Sequence, residues 1–152
     1  MPADPTPPND PALLDTNVLV YSVYQDAQQH AASRALVERA ADPNAGLYVT
    51  AQSMAEFFAT VTNHRRVTNP RTPAEALDAI ERFLALPGLA LLAQPAEVVS
   101  RWIELIRQHR VTGADVFDVQ IVATMLASDV RRIYTFNGAD FDWLPQIQVL
   151  IP

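Results

Sequence analysis

The sequence contains no cysteine and no lysine. Without cysteine there is no disulfide, no thiolate metal site and no thiol nucleophile. Without lysine, every basic side chain is one of 11 arginines or 3 histidines. Phosphoryl-transfer sites that set a lysine beside the phosphate, P-loops included, therefore lack an essential part. Positive charge is scarce overall. A formal net charge of -6 at pH 7 excludes a chain that grips a polyanion by its total charge. A local site stays open, because association responds to the field at the patch. Also missing is any run of roughly 18 uninterrupted apolar residues, the length a membrane-spanning helix needs.

What is present suits one α/β domain. At 152 residues and 49% apolar content, the chain is long enough to bury a full core and too short for two comfortable ones. Residues 1–11, MPADPTPPNDP, hold five prolines and two acids. They lack the basic start and apolar run of a signal peptide and read as a flexible arm. Residues 12–152 then form a single domain, and the expected location is the cytoplasm, without membrane contact.

Along that domain, strand and helix signals alternate. A short buried strand ends near Asp15, with Thr16 or Asn17 opening a helical turn. Helices are expected over 28–41, 51–67, 72–86, 95–110 and 115–128, and further strands over 47–50, 89–92, 132–136 and 147–151. Thr72, Pro73 and Glu75 carry a helix-start signature of cap, proline and returning carboxylate. Strands separated by helices of this length predict a three-layer α/β/α fold with a central, mainly parallel sheet.

Several acids stand in unusual places. Asp15 falls at the carboxyl end of the first strand, where parallel sheets bind ligands, although it could equally cap the next helix. Glu56 sits on a polar stripe, Gln52, Glu56, Thr60 and Asn63, opposite Phe57, Phe58 and Val61. Either it faces a site or it marks a solvated face. Asp118 opens a helix whose following residues, Val119 to Ala127, read as buried nearly all round. Carboxylates are seldom buried unless paired or bound to a metal, but a first-turn acid is also common. Asp115 lies one turn earlier. Asn137 and Asp140 follow the strand RIYTF, where Asn-Gly is also a turn signal.

Brought together, such acids repel. Two carboxylates about 4 Å apart cost roughly 4 kcal/mol at an effective dielectric near 20. A divalent cation or bound protons must offset this. Mg²⁺ or Mn²⁺ suits all-oxygen ligands, whereas three histidines without ligand spacing argue against zinc. A cation so held supports phosphodiester hydrolysis, with an unligated acid such as Glu56 orienting or deprotonating water.

Four blocks carry a resemblance: LLDTNVLVY (13–21), AQSMAEFFATVTNHRRV (51–67), TGADVFDVQIVATML (112–126) and IYTFNGADF (133–141). In order and spacing they resemble the blocks of PIN-domain proteins, in particular VapC-type toxins of prokaryotic toxin–antitoxin pairs. The resemblance implies a Mg²⁺-dependent endoribonuclease that forms a homodimer and is inhibited by a cognate antitoxin. It implies that Asp15, Glu56 and Asp118 are catalytic acids, with Asp15 and Asp118 as direct metal ligands. Where many members carry a fourth Asp this chain has Asn137, and Asp140 is the nearest substitute. Asp115, Asn137, Thr16 and Asn17 become accessory candidates. Arg65, Arg66 and Arg71, with His64, form the densest basic group and are candidate RNA contacts through phosphate forks. The competing reading is a catalytically inactive PIN-like module that binds RNA or a partner.

Overall fold

The computed structural model describes residues 10–152. The expected N-terminal arm lies outside the described residues except for Asp10 and Pro11. The Asp10 backbone carbonyl accepts from the Arg132 guanidinium at 3.3 Å.

Five strands and six helices follow in the order β1 (Ala12–Leu14), α1 (Thr16–Val23), α2 (His30–Glu38), β2 (Leu47–Val49), α3 (Ala51–Val61), α4 (Pro73–Leu84), β3 (Leu89–Leu91), α5 (Val98–Gln108), α6 (Val116–Ala127), β4 (Arg132–Tyr134) and β5 (Gln148–Leu150). The strands form one sheet in the order β3-β2-β1-β4-β5, and every pairing is parallel. The expected α/β/α architecture with a parallel sheet is what the chain adopts.

Side-chain alternation along the strands creates two cores. Ala12 and Leu14 point to the layer of α1–α4, where they meet Leu19, Leu36, Phe57 and Phe83. Leu13 points the other way, to α5 and α6, where Leu105, Val122, Met125 and Ile133 surround it. All three β1 residues are fully buried, so each of the two leucines contributes roughly 1.5–3 kcal/mol. A strand apolar at every position is the mark of a sheet covered on both sides.

Strands and helices are shorter than the sequence predicts, because residues at strand ends become caps. Thr50 leaves β2 to accept the Ser53 amide at 3.0 Å, which starts α3. Thr72 and Glu75 make the expected reciprocal capping box of α4. Helix α3 ends at Val61 rather than Val67. The Asn63 side chain accepts the Arg65 amide at 2.9 Å and folds the chain into a turn. His64, Arg65 and Arg66 therefore lie on a loop, not on a helix end. Helix α5 starts at Val98 rather than Pro95. Helix α6 starts at Val116, after a 3-10 turn Gly113–Asp115.

One close approach holds the β2–β3 edge. The Gly88 amide donates to the Ala40 carbonyl at 2.7 Å, and its own carbonyl accepts from Leu47 at 3.1 Å. A Cβ there would collide with the Asp42 carbonyl oxygen. Only glycine fits.

Candidate active site

The strand order reverses at β1. The chain moves outward from β1 through β2 to β3, then returns to place β4 on the other side of β1. Loops leaving β1 and β4 therefore diverge and open a crevice at their carboxyl ends. A cleft of about 960 Å³ lies there, and its walls include Asp15, Glu56, Asp118 and Asp140. Four elements far apart in sequence deliver these four acids: the end of β1, the middle of α3, the first turn of α6 and the turn after β4.

Asp15 does both things its position allowed. It is the N-cap of α1, and its Oδ1 accepts the Thr16 amide at 2.8 Å. Its Oδ2 accepts from the Thr135 hydroxyl at 2.8 Å and from Asn17 Nδ2 at 3.3 Å. A carboxylate has about four lone-pair positions, so three bonds leave one open on Oδ1. Burial raises the Asp15 pKa, the bonds from Thr135 and Thr16 lower it, and the charges of Glu56 and Asp140 raise it. The net direction is up.

Thr135 escaped the sequence reading. It is completely buried, and its hydroxyl joins both loops of the crevice. Besides donating to Asp15, it accepts from Asn17 Nδ2 at 3.1 Å and from the Asn137 amide at 3.0 Å. Asn17 Oδ1 in turn accepts the Phe136 amide at 3.3 Å. Asn17 and Thr135 thus tie the start of α1 to the end of β4. The available signal was a hydroxyl at the carboxyl end of a central strand, two residues before Asn137.

Glu56 is held at both oxygens. Oε1 accepts from Gln52 Nε2 at 2.8 Å and Oε2 from the Thr16 hydroxyl at 3.0 Å. The polar stripe of α3 is therefore a wall of the cleft: Glu56, Thr60 and Asn63 line it, while Phe57 and Val61 are buried behind. Thr16 bridges the first and second acids and is itself buried.

Asp118 has no such support. Its pKa is pushed up to about 6, first by burial and then by the charges of Asp140, Asp15, Glu56 and Asp115. Asp140 and Asn137 line the cleft from its exposed side. Asp115 occupies the N-cap position of α6 without a capping hydrogen bond and is exposed. Of the basic candidates, Arg66 lines the cleft. Arg65 and Arg71 do not. The Arg71 guanidinium donates to the Val23 carbonyl at 2.9 Å and lies 5.0 Å from the centre of the Tyr24 ring, so it fastens the 62–72 loop to α1.

Among the described residues, no three acidic or histidine side chains already form a metal cage. The donor set still fits a hard divalent ion. All four acids offer oxygen, and among the described residues no arginine or histidine forms a salt bridge with any of them. Mg²⁺ is commonly bound through one or two carboxylates, with water and substrate phosphate completing its shell.

Fold and cleft together define a class: a small parallel α/β domain with an acid-lined crevice at its topological switch point. A sequence model of the PIN domain matches residues 12–143. The chain belongs to the PIN domain family. VapC ribonuclease Mb2897 of Mycobacterium bovis is 33% identical over 128 residues, covering 82% of this chain and 85% of that protein. Ribonuclease VapC43 of Mycobacterium tuberculosis matches with the same figures. The fold is also that of Mycobacterium tuberculosis VapC20, described as a sarcin-ricin loop cleaving toxin, with a TM-score of 0.65 at 16% identity over 93% of this chain and 99% of that one. VapBC2 from Rickettsia felis, bound to a promoter DNA fragment, gives a TM-score of 0.63 at 16% identity over 93% and 98%. The resemblance to VapC-type proteins noted in the sequence thus extends over nearly the whole chain.

Proposed function

We propose that the chain is a Mg²⁺- or Mn²⁺-dependent endoribonuclease and the toxin of a toxin–antitoxin pair. The observation that carries this is the convergence of Asp15, Glu56, Asp118 and Asp140 on one cleft, with Asp118 pushed up to about 6 by burial and by its neighbours. Acids so crowded, without a basic partner, are poised for a cation. Asp15 and Asp118 would hold it, Asp15 through the open position on Oδ1. When bound, the ion supplies positive charge against the phosphate and lowers the pKa of water.

The remaining roles fall to the chain's own groups. Glu56, oriented by Gln52 and Thr16, takes a proton from the attacking water. Thr135 and Asn17 keep Asp15 aimed into the cleft. Asp140 adds negative charge felt by Asp15 and Asp118, and Arg66, on the cleft wall, meets the RNA backbone. Asn137 contributes an amide where a fourth acid would add charge, so the site would hold one cation tightly and take a second only with RNA. Residues 12–152 act as one domain in this reading.

Two solved relatives support an antitoxin partner, the Rickettsia felis VapBC2 assembly and a toxin-antitoxin complex from Klebsiella pneumoniae with a TM-score of 0.59 at 18% identity. Homodimerisation belongs to the same proposal, with exposed Leu77, Leu84, Val99 and Ile103 as apolar surface to cover. Among the described residues no helix is long and apolar enough to cross a membrane, in keeping with a cytoplasmic site of action.

The test is purified, antitoxin-free protein on total RNA with Mn²⁺, Mg²⁺ or EDTA, beside Asp15→Asn and Asp118→Asn. Discrete, metal-dependent cleavage lost in both variants supports the reading. Folded protein that cuts no RNA class, and whose melting temperature ignores both ions, would instead be a binding-only module.

A further inference from the structure

The acid-lined cleft has a second recess beside it. Asp118 and Asp140 belong to both, while His109, Arg110, Asp115 and Trp143 line only the recess, which has a volume of about 400 Å³. Trp143 follows the acid-bearing turn Gly138–Asp140, and its indole N–H donates to the Asp140 carbonyl at 2.8 Å. That bond satisfies the polar edge of the ring and orients it. His109, at the end of α5, stands edge-on to the indole, with ring centroids 4.6 Å apart and planes at 66°. Both rings are half-buried, with Trp143 packed against the core beneath α5 and α6, and Arg110 beside them is exposed.

The two cavities complement each other chemically. The described walls of the main cleft carry four acids, Asp26 and a single arginine, Arg66. A polyanion crossing those acids needs positive charge on the far side, and its bases need an apolar face. The recess supplies an aromatic face and one further arginine, set directly against Asp115, Asp118 and Asp140. Its volume lies in the range of small-ligand sites.

We propose that this recess is the subsite for the nucleotide adjoining the phosphate that is cut: its base stacks on Trp143 and its phosphate is held by Arg110 and His109. The inference rests on the ribonuclease reading above. It carries a consequence for substrate choice. A base must leave its own stack to lie on the indole, so an unpaired nucleotide is selected over one in a duplex.

The test uses the tryptophan itself. The chain has 2 tryptophans, so Trp102→Phe leaves Trp143 as the sole tryptophan, excited selectively at the red edge where tyrosine does not absorb. That protein is titrated in EDTA with a short single-stranded RNA of mixed sequence, and separately with a duplex of equal length. Single-stranded RNA quenches Trp143 emission and duplex does not. In an otherwise native chain, Trp143→Ala weakens single-strand binding roughly ten- to a hundredfold, the scale of one base–aromatic stack, and Trp143→Phe retains most of it. Arg110→Ala also weakens binding, with quenching still reached at saturation. Absence of quenching, or Trp143→Ala binding as tightly as the parent, overturns the subsite. Cleavage in Mn²⁺ keeps the two readings apart. If the parent and Trp143→Ala cut and bind alike while Asp15→Asn does not cut, the subsite falls and the nuclease stands. If nothing cuts but single-stranded RNA still quenches Trp143, the nuclease falls and the recess stands as a site for unpaired nucleotides.

Discussion

Asp15 and Asp118 bring the same charge into the same cleft and are held in opposite ways. Asp15 ends a buried strand and accepts three hydrogen bonds from Thr16, Asn17 and Thr135, which partly offset its burial. Asp118 stands in the first turn of α6, where no hydrogen bond counters its burial or the push of four neighbouring acids. The first is a fixed point built into the sheet. The second is a group whose charge costs free energy in the folded protein. A site assembled this way has one rigid half and stores repulsion in the other, which the proposed cation would relieve.

The largest expected effect removes the charge from each half in turn. Asp15→Asn and Asp118→Asn each lose about a thousandfold or more in cleavage rate, since positioning a catalytic cation is worth several kcal/mol. Their metal-free proteins differ in direction. Asp118→Asn melts higher than the parent in EDTA because it removes repulsion. Asp15→Asn melts lower, because an amide nitrogen would face the donors that now serve Oδ1 or Oδ2. Thermal melts of the two variants that shift the same way would break the comparison.

The next effect attacks the rigid half without touching an acid. Thr135→Val keeps shape and burial but leaves the Asn137 amide, Asn17 and Asp15 short of a partner. It should cost about 1–3 kcal/mol in urea unfolding. It should also loosen Asp15 enough to raise the Mn²⁺ concentration needed for half-maximal cleavage. Unchanged stability would show that Thr135 does not organise the site.

A smaller effect follows pH. Asp118 goes from an ordinary 3.8 to about 6 on folding, so the native state holds this proton more tightly than the unfolded chain does. The penalty is complete above about pH 6, is relieved as pH falls from there toward 3.8, and vanishes below. The metal-free parent should therefore gain on Asp118→Asn as pH is lowered from 7.5 to 4.5. The melting gain from added Mn²⁺ should shrink over the same window as protons compete for the carboxylate. Parallel pH profiles for parent and variant would refute the unsupported state of Asp118.

The smallest is Asn137→Asp. A further exposed carboxylate at the cleft should lower the metal-free melting temperature by a degree or two and raise Mn²⁺ affinity a few-fold. A change confined to the metal-free state would remove Asn137 from the metal's surroundings.

Much of this was legible along the chain. Apolar runs broken by helical periods gave the layers, because the central strand of a parallel sheet covered on both sides, here β1, is apolar at every position. Asp15 and Asp118 stood out because carboxylates are rare beside runs such as Leu13 and Leu14 or Val119 and Ile121 to Met125, which are buried. Element ends were read less well. The expected helix to Val67 stops at Val61, since the Asn63 side chain competes with the helix for a backbone amide. That difference moved Arg65 and Arg66 onto a loop, and Arg71 proved to be tied down by Val23 and Tyr24.

By itself, then, the sequence determined a parallel α/β domain, the acids at its strand and helix ends, and the absence of thiol and lysine chemistry. These are properties of residue type and local period. Only the tertiary structure decided that β4 returns beside β1, so that residues more than a hundred positions apart share one cleft. It alone made Thr135 the joint between two loops and separated a hydrogen-bonded Asp15 from an unsupported Asp118. It alone set Trp143 against His109 beside the acids. Hydrogen bonding and repulsion depend on distances of a few ångströms across the sheet, and no spacing along a chain encodes them directly.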